Sequence, residues 1–308
     1  MLQIAFAGTF SATLASPVRA RLMLPCDVVV DDEVNIVSRL SSVDVLVSLT
    51  FTREMGAAAK RLKLVQVPGA GLDRIDRSAL PEGTSLANVY GHEVGIAEYV
   101  MGAMLALTRS FGRIDAALRR GAWESQWGVG TPAPPPWPEL AGKTLGVLGY
   151  GRIGQALARR ARAFDMEVCA IRREVTRSTG DGLTFLGGPD RLDEVLRRAD
   201  YLAVTLSLMK PTAVLVNVAR AEIVDEDALY RALLERRLAG AALDVWYRYP
   251  KTAEPTLPAR RPFHELANVL MTPHVSGWTE GMLKARATLI AENIQRTARG
   301  EPPLNLIR

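Results

Sequence analysis

Short apolar runs alternate with helical patterns through the first ninety residues of the chain. The apolar runs predict five strands, at residues 2–7, 27–30, 43–49, 64–67 and 85–89. Apolar residues at helical spacing predict three helices, near 17–24, 33–40 and 53–61. Strands that alternate with helices in this way are typical of a parallel sheet with both faces covered.

A second α/β series follows a long helical stretch. One helix is predicted over 94–120, and the five prolines in residues 131–138 predict an extended arm. Strands are then predicted at 144–148, 167–171, 201–206, 213–218, 240–244 and 269–271. Helices are predicted near 155–164, 191–197, 225–236 and 280–300.

The connection between two strands of the second series is unusually short. Residues 201–206 and 213–218 both have the composition of buried parallel strands, but only six residues separate them. Six extended residues reach about 20 Å, whereas a parallel connection normally needs about a dozen residues or more. Either the two strands are not parallel neighbours, or the chain lacks a segment between Leu206 and Leu208. We favour the missing segment.

A glycine-rich turn joins the predicted strand 144–148 to the helix that follows it. Gly149, Gly151 and Gly154 have the spacing G-x-G-x-x-G in Val-Leu-Gly-Tyr-Gly-Arg-Ile-Gly. In a dinucleotide site, the first glycine permits the turn, the second admits the pyrophosphate, and the third lets helix and strand pack closely. The alternative is a tight turn without a ligand, but the strand before and the helix after favour cofactor binding.

Composition and charge exclude several classes of protein. The 308 residues are sufficient for about two domains, and 48% of them are hydrophobic. The formal charge of +5 comes from dispersed basic residues, so nucleic acid is not expected as a partner. The N-terminus lacks the Lys/Arg-rich region typical of a signal peptide, and no run of apolar residues is long enough to cross a bilayer, so we expect neither a signal peptide nor a membrane span. With only two cysteines and no metal-binding motif, we expect a cytoplasmic protein without a metal.

A series of short motifs extends along nearly the whole chain. They are Gly-Ala-Gly-Leu-Asp (69–73), Ala-Glu (97–98), Leu-Ala-Gly-Lys-Thr-Leu-Gly (140–146), the glycine motif, Val-Asn-Val-Ala-Arg (216–220), Val-Asp-Glu (224–226), Ala-Leu-Asp-Val (242–245) and Thr-Pro-His-Val-Ser-Gly (272–277). With these motifs the chain resembles the D-isomer-specific 2-hydroxyacid dehydrogenases, a family that includes glyoxylate/hydroxypyruvate reductases and formate dehydrogenases.

The resemblance implies an α/β fold of two Rossmann-like or flavodoxin-like doubly wound parallel-sheet domains with an interdomain cleft. The discontinuous substrate domain is expected at 1–93 and 280–308, and an inserted dinucleotide-binding domain at 94–279. Relatives carry a helix-containing segment where this chain passes from Leu206 to Met209, and they form homodimers. The implied activity is hydride transfer between NADP(H) or NAD(H) and a small 2-keto or 2-hydroxy acid.

The resemblance also implies which residues form the site. Arg220 is expected to bind and polarise the substrate, His274 to act as acid and base, and the N–H groups of Ala70 and Gly71 to hold the substrate carboxylate. These are the groups that reduction of a 2-keto acid requires, because a cation must hold the carboxylate and an acid must protonate the new alkoxide. The expected cofactor contacts are Gly149, Gly151, Arg152, Ile153, Gly154, Arg172, Arg173, Thr205, Leu206, Val218, Ala219, Arg220, Asp244, His274, Ser276 and Gly277.

The chain departs from the family at the third catalytic position. Relatives usually carry a glutamate where this chain has Tyr249, and a neutral phenol cannot favour an imidazolium as a carboxylate does. Ala221 replaces a glycine that usually follows the arginine. Tyr249 leaves open a nucleotide-binding sensor or corepressor-like protein with little catalysis. A formate-type dehydrogenase is a further alternative, because those enzymes also lack the glutamate.

The end of the second strand in the inserted domain predicts the cofactor. NAD enzymes place an acid there, about twenty residues after the glycine motif. In this chain the predicted strand 167–171 ends in Arg172 and Arg173, and guanidinium groups bind a 2′-phosphate well. We therefore expect NADP(H), with NAD(H) as the alternative if both arginines are only surface residues.

Overall fold

A computed structural model of the protein describes residues 1–125, 127–130, 134–175, 182–203, 209–252 and 254–307. The chain folds into two compact units. The first unit comprises Met1–His92 and Trp278–Arg308, and the second comprises Glu93–Gly277. These limits lie within two residues of the expected domain boundaries. That the first unit binds substrate and the second binds cofactor stays a prediction.

Twelve strands and eight α-helices are found in the described part of the chain. The strands are β1 (Leu2–Ala7), β2 (Cys26–Asp31), β3 (Val45–Ser48), β4 (Leu64–Gln66), β5 (Ser85–Ala87), β6 (Thr144–Leu148), β7 (Glu167–Ile171), β8 (Phe185–Gly187), β9 (Tyr201–Ala203), β10 (Val214–Asn217), β11 (Gly240–Leu243) and β12 (Val269–Met271). The helices are α1 (Thr9–Arg19), α2 (Arg53–Ala58), α3 (Glu93–Thr108), α4 (Phe111–Arg119), α5 (Arg152–Arg162), α6 (Leu192–Arg198), α7 (Glu226–Leu234) and α8 (Glu280–Ala298). Short 3₁₀ helices occur at Asn35–Ser42, Arg77–Ala79, Pro189–Arg191, Ala221–Ile223 and Phe263–Glu265.

The first unit is a five-stranded parallel sheet in the order β2-β1-β3-β4-β5. Successive residues of β1 point to opposite faces, so that Ile4 and Phe6 join one core while Ala5 and Ala7 join the other. Helix α8 packs with the core that contains Ile4 and Phe6. This strand order is flavodoxin-like, and the winding direction reverses between β1 and β3.

The second unit is a seven-stranded parallel sheet in the order β12-β11-β10-β9-β6-β7-β8. Val214 and Val216 of β10 contact the core on one face of the sheet, and Leu215 contacts the core on the other. The order contains the Rossmann arrangement, with the winding reversal between β6 and β9. The predicted fold class is therefore confirmed for both units.

Three helix predictions were wrong for identifiable reasons. Helix α1 spans Thr9–Arg19, so Pro17 lies inside the helix rather than at its start, where the prediction placed it. The predicted helix over 33–40 is a 3₁₀ helix at Asn35–Ser42. The helix predicted over 94–120 is broken at Ser110, whose φ of +52° is left-handed and ends the regular hydrogen bonding. The end of α3 is held there by a 2.8 Å hydrogen bond between the hydroxyls of Thr108 and Tyr201.

One strand was missed, and one alternative for the short connection was wrong. Strand β8 was not predicted, because its three residues at the sheet edge show no periodicity. Strands β9 and β10 are parallel neighbours, with Tyr201 paired to Val214. The suggestion that they are not neighbours is therefore wrong. The suggested missing segment falls at 204–208, which lies outside the described residues.

Buried amides tie α8 to the sheet of the first unit. The Asn293 side chain donates to Gln66 Oε1 over 2.6 Å and to the Leu304 carbonyl over 3.1 Å. Its own oxygen accepts from the Leu304 N–H over 2.7 Å. Gln66 in turn donates to the Ala87 carbonyl over 3.1 Å. Both amide side chains are fully buried, so this network attaches the C-terminal residues to β4 and β5. Across the described ranges, we find no helix with the length and apolar character needed to cross a membrane.

Candidate active site

Three neighbouring strands of the second unit end at the same edge of the sheet. Asn217 at the end of β10 pairs with Leu243 at the end of β11, and Leu243 pairs with Met271 at the end of β12. Arg220, Asp244 and His274 follow these three strands. Because parallel strands place their carboxyl ends together, the sheet brings the three predicted site residues to one edge.

His274 is hydrogen-bonded to Tyr249. The Tyr249 hydroxyl lies 2.8 Å from His274 Nδ1, and the two ring centroids are 5.8 Å apart. The N–H of Trp246 donates to the same hydroxyl over 3.5 Å. The phenol oxygen accepts from Trp246, and its bond to Nδ1 runs in either direction according to the tautomer of the imidazole.

Tyr249 is a neutral phenol around pH 7. Burial raises the pKa of Tyr249 above its ordinary value of 10.0, and this outweighs the opposing effect of the Trp246 N–H. The negative charge of Asp244 raises the pKa further, while the nearby charge of Arg220 lowers it. The charges of Asp244 and Arg220 thus both act on the Tyr249 hydroxyl, which is hydrogen-bonded to His274.

A buried carboxylate holds the loop that carries His274. Asp244 is 0% exposed and accepts hydrogen bonds from Thr272 Oγ1 at 2.6 Å, Val275 N at 2.9 Å and Ser276 N at 2.9 Å. These bonds stabilise a backbone in which His274 has a φ of +58°. A left-handed non-glycine residue costs about 1–3 kcal/mol and persists only where its surroundings determine it. Asp244 therefore positions His274, and its expected contact with the cofactor stays a prediction.

Two aromatic residues that the sequence did not indicate support the same loop. The Tyr99 hydroxyl lies 2.6 Å from Thr272 Oγ1, and Trp246 Nε1 donates to the Thr272 carbonyl over 2.8 Å. Tyr99 is on α3, far along the chain from the loop. Its helical spacing marked it only as a residue of a long helix, so no sequence signal connected it with His274.

The backbone around Arg220 is held by Asn217. Asn217 Nδ2 donates to the Arg220 carbonyl over 3.0 Å, and Asn217 Oδ1 accepts from the Ala219 N–H over 3.1 Å. The Arg220 side chain is exposed, and its Nη1 donates to the Ala219 carbonyl over 2.8 Å. Ala221 is buried at the start of a 3₁₀ helix, where its methyl group fits. The alanine that replaces the usual glycine therefore leaves this turn intact.

In the first unit, Asn88 orients the loop predicted to bind a carboxylate. Asn88 follows β5, is 3% exposed, and its Nδ2 donates to the Ala70 carbonyl over 3.0 Å. The Ala70 carbonyl and the Gly71 N–H belong to one trans peptide, so they point in opposite directions. Fixing the carbonyl therefore turns the Gly71 N–H away from Asn88. The sequence did not indicate Asn88, because no motif marked it.

Each glycine of the nucleotide motif has a structural reason. Gly149 has a φ of +93°, which favours glycine. A Cβ on Gly154 would lie 2.8 Å from the Gly149 carbonyl oxygen, so helix and strand meet closely there. Around Gly151 an added Cβ would have open space, and the N-terminus of α5 has no side-chain cap. An uncapped helix N-terminus with open space above it fits a bound phosphate.

Arg172 and Arg173 lie one strand away from this loop. They follow β7, whose last residue, Ile171, pairs with Leu148 of β6. Both side chains are exposed, and the backbone N–H of Arg172 donates to the Gly187 carbonyl over 2.9 Å. In a Rossmann unit the adenosine ribose lies near the end of this second strand. The position therefore fits recognition of a ribose substituent.

The other expected cofactor contacts that fall within the described residues occupy the same edge of the sheet. Val218 and Ala219 are half-buried after β10, while Ser276 is buried and Gly277 half-buried beside the Asp244 carboxylate. Arg152 and Ile153 form the first turn of α5. Thr205 and Leu206 lie outside the described residues.

Comparisons with known proteins agree with this arrangement. The family model described as "D-isomer specific 2-hydroxyacid dehydrogenase, NAD binding domain" matches residues 101–276. A glyoxylate reductase from Pyrococcus furiosus is 36% identical over 300 residues, covering 88% of this chain and 84% of that protein. A D-3-phosphoglycerate dehydrogenase from Methanocaldococcus jannaschii is 35% identical over 296 residues, covering 88% of this chain but only 53% of that protein's length.

A solved structure extends the similarity to the fold. The NADPH-dependent glyoxylate/hydroxypyruvate reductase from Sinorhizobium meliloti, in complex with citrate, is 26% identical with a TM-score of 0.81. The match covers 100% of this chain and 97% of that one.

A Rossmann unit with a glycine-rich nucleotide loop, and with an arginine and a histidine at strand ends on one edge of the sheet, defines a nicotinamide-dependent oxidoreductase. The chain belongs to the D-isomer specific 2-hydroxyacid dehydrogenase family. The protein is therefore an NAD(P)-dependent enzyme that transfers hydride between a nicotinamide and a 2-keto or 2-hydroxy acid.

Proposed function

We propose that this protein is an NADP(H)-preferring reductase of small 2-keto acids such as glyoxylate or hydroxypyruvate. The observation that carries the proposal is the grouping of Arg220 with the hydrogen-bonded pair His274 and Tyr249 at one sheet edge. The relatives from Pyrococcus furiosus and Sinorhizobium meliloti, which are named as reductases of these acids, support the choice of substrate.

Each site residue has a distinct role in this reaction. Arg220 pairs with the substrate carboxylate and polarises the carbonyl, and His274 Nε2 donates the proton to the alkoxide oxygen. The N–H groups of Ala70 and Gly71 bind the carboxylate, with Asn88 as a positioning residue. The bound nicotinamide supplies the hydride.

Tyr249 orients the imidazole in both of its protonation states. Its hydroxyl accepts from Nδ1–H of the imidazolium, and it keeps that bond after Nε2 has given its proton to the alkoxide, because the remaining proton of the neutral ring is on Nδ1. A glutamate in this place would add a negative charge that stabilises the imidazolium. Tyr249 therefore orients the His274 ring without adding a negative charge beside it. The His274 imidazolium should then give up its proton more readily than it would beside a glutamate.

Arg172 and Arg173 are the basis of the proposed NADP(H) preference. Both are exposed after β7, next to the strand that carries the glycine motif. A guanidinium can hold a 2′-phosphate through two parallel hydrogen bonds. The expected cofactor is NADPH, with NADH used less efficiently.

A steady-state screen tests the proposed function. Glyoxylate, hydroxypyruvate and pyruvate should each be assayed with NADPH and with NADH. We expect turnover of the small keto acids, and Arg220→Gln should lower kcat/KM by at least about a hundredfold. Arg237→Gln, which changes an exposed arginine of the same unit, should leave the rate unchanged. Absence of turnover with all three acids would overturn the proposal.

The second candidate is a nucleotide-binding sensor with little or no catalysis, and the Tyr249 replacement is the observation that favours it. Saturable NADPH binding without turnover, unrestored by Tyr249→Glu, would support this function over the first. A formate-type enzyme is tested in the same assays, since it would reduce NAD(P)⁺ with formate.

We also propose that the protein forms a homodimer. Apolar side chains are exposed on α4 and on the segment that follows it, among them Phe111, Leu118, Trp123 and Trp127. Several exposed apolar side chains in one stretch of the chain are typical of an interaction surface. Sedimentation equilibrium should give twice the mass of the chain, and a monomer at micromolar concentration would contradict the proposal.

A further inference from the structure

The first unit contains a cavity of about 660 Å³ at the carboxyl ends of β1, β2 and β3. Its lining includes Gly8, which follows β1, Glu33, which follows β2, and Leu49, which follows β3. The winding of this sheet reverses between β1 and β3. Open α/β sheets bind ligands outside the carboxyl ends of their strands at such a reversal. The cavity therefore lies where this fold places a ligand.

The N-terminus of α1 opens into this cavity. Gly8 precedes the helix with a φ of +88°, supplies no side-chain cap, and is followed by a first turn without an acid. Ser11 in that turn lines the cavity and is 1% exposed. Among the described residues its hydroxyl has no hydrogen-bond partner. Buried polar groups are almost always paired, and a helix N-terminus favours an anion.

The carboxylate of Glu33 lies next to Gly8. Glu33 follows β2 and stands 25 residues after Gly8 in the chain. Its Oε1 would lie 3.0 Å from a Cβ on Gly8, so the glycine makes room for the carboxylate. Glu33 also accepts from Thr50 Oγ1 over 2.8 Å and forms an ion pair with Arg74, which neutralises its charge. A Rossmann fold is built of two mononucleotide-binding halves, and in each the chain runs from a strand through a glycine-rich turn to a helix and a second strand. An acid after the second strand binds the ribose hydroxyls, and Glu33 has that place in the first unit.

Phe10 limits the ligand to a single phosphate. In the second unit, Gly151 occupies the place two residues after the first glycine and leaves open space for a pyrophosphate. In the first unit that place is taken by Phe10, whose ring packs 5.8 Å from the ring of Trp278 and 5.4 Å from the Arg286 guanidinium. A side chain there prevents the close backbone approach that a pyrophosphate needs.

We propose that this cavity of the first unit binds a ribose 5-phosphate group, either as a free sugar phosphate or as part of a nucleoside monophosphate. The phosphate accepts from the first-turn N–H groups of α1 and from the Ser11 hydroxyl. The ribose hydroxyls donate to Glu33. This site is separate from the glycine motif of the second unit and does not depend on the proposed reductase activity.

Binding is measured in a full-length variant whose cofactor loop cannot take a phosphate. Gly151→Asp places a carboxylate at the N-terminus of α5, and with φ −93° and open space around an added Cβ the backbone accepts it. Calorimetry with ribose 5-phosphate and with AMP should each show one site in this variant. Equal affinities identify a sugar-phosphate site, whereas tighter AMP binding identifies a nucleotide site. No binding of either at millimolar concentration overturns the proposal.

A matched pair of variants tests whether the phosphate binds at the N-terminus of α1. Thr9→Asp puts a negative charge in the first turn of α1, and Thr13→Asp puts the same charge one turn further along, outside the cavity. We expect Thr9→Asp to weaken binding at least about tenfold by charge repulsion, while Thr13→Asp leaves it nearly unchanged. Equal effects of the two would overturn the proposal.

Two further variants test the buried hydroxyl and the acid. Ser11→Ala should weaken binding about fivefold to tenfold without lowering thermal stability, because it removes a buried hydroxyl that has no partner in the folded protein. Glu33→Gln should weaken ribose 5-phosphate and AMP but not inorganic phosphate, which lacks the sugar. Unchanged binding in Ser11→Ala, or equal weakening of inorganic phosphate in Glu33→Gln, would contradict the assignment.

Discussion

His274 is held in a left-handed conformation by side chains that come from other elements. Asp244 binds the backbone on its C-terminal side, and Trp246 and Tyr99 bind Thr272 on its N-terminal side. The strain at φ +58° is maintained by these contacts rather than by any local sequence preference. The conformation of the residue that carries the imidazole therefore depends on side chains from other elements of the fold.

Asp244→Asn should separate positioning from stability. An amide can accept fewer of the three hydrogen bonds than the carboxylate does, so we expect the free energy of unfolding to fall by about 1–3 kcal/mol. Because His274 would be held less well for proton transfer, we also expect kcat to fall at least about tenfold. Urea unfolding and steady-state kinetics measure the two effects. Asp165→Asn, an exposed acid in the same unit, is the control. Full kcat in Asp244→Asn would show that the loop does not need the carboxylate.

Tyr249 variants should change the pH dependence of the reaction. Tyr249→Phe removes the hydroxyl bonded to Nδ1 and should lower kcat at least about tenfold at all pH values. Tyr249→Glu supplies a negative charge that favours the imidazolium, so the decline of kcat/KM on the alkaline side should move about 1–2 units higher. Tyr230→Phe, which retains the ring contact with Phe263, should behave like the wild type. A Tyr249→Glu profile identical to the wild type would refute this role.

At the scale of elements, strand order determines which loops can form a site. Strands β10, β11 and β12 are adjacent, so the loops that carry Arg220, Asp244 and His274 start side by side. Strand β7 is adjacent to β6, so Arg172 and Arg173 start beside the glycine loop. The roles predicted for these residues in catalysis and cofactor binding therefore depend on which strand ends lie next to each other in the sheet.

The two arginines after β7 should control cofactor preference. Replacing both Arg172 and Arg173 with alanine removes the groups expected to bind a 2′-phosphate, while NADH makes no use of them. We expect the KM for NADPH to rise at least about tenfold and the KM for NADH to change little. Arg197→Ala, on α6, is the control. An equal rise in KM for NADPH and for NADH would mean that the arginines do not bind the 2′-phosphate.

The attachment of α8 to the first unit should depend on Asn293. Asn293→Leu leaves Gln66 and the Leu304 backbone without their buried partners, and each unsatisfied group costs about 1–3 kcal/mol. We expect the urea transition of the first unit to move to lower concentration while that of the second unit stays in place. Lys284→Ala, an exposed change on the same helix, should have no effect. An unchanged first transition would show that the network does not stabilise the unit.

At the scale of the whole molecule, each unit has an aspartate that joins the two strands between which the winding of its sheet reverses. In the first unit Asp44, directly before β3, accepts from the Gln3 N–H of β1 over 3.0 Å and pairs with Lys63. In the second, Asp200, directly before β9, accepts from the Thr144 N–H of β6 over 2.9 Å and pairs with Lys210. Each carboxylate joins the two central strands of its sheet.

These two acids should make stability fall in acid. Burial alone raises the pKa of each, but hydrogen bonds and neighbouring cations outweigh it, so both pKa values lie below the ordinary 3.8. A lowered folded pKa contributes stability that is complete above the ordinary value and is lost as the pH falls through the folded value. Asp44→Asn and Asp200→Asn should therefore lower stability at pH 7 and flatten its decline below about pH 4.

Urea unfolding between pH 3 and pH 7 measures this dependence, with Asp190→Asn as an exposed control. The Asp44 variant should affect the transition of the first unit and the Asp200 variant that of the second. Two separate transitions are expected, because two units need not unfold together. A slope as steep in the variants as in the wild type would contradict the assignment.

The sequence by itself determined the α/β alternation, the glycine loop and the positions of Arg220 and His274. These features depend on periodicity and short motifs, which are local. It did not determine the break at Ser110, the start of α1 at Thr9 or the edge strand β8, because there tertiary contacts outweigh weak local preferences. Only the tertiary structure showed that Tyr249 bonds to His274, that Asp244 and Tyr99 hold the histidine loop, and that Asn88 orients the loop at Gly71. Those hydrogen bonds join residues that are distant in the chain, and they exist only because the order of parallel strands places the strand ends together and the packing of α3 brings Tyr99 to the same loop.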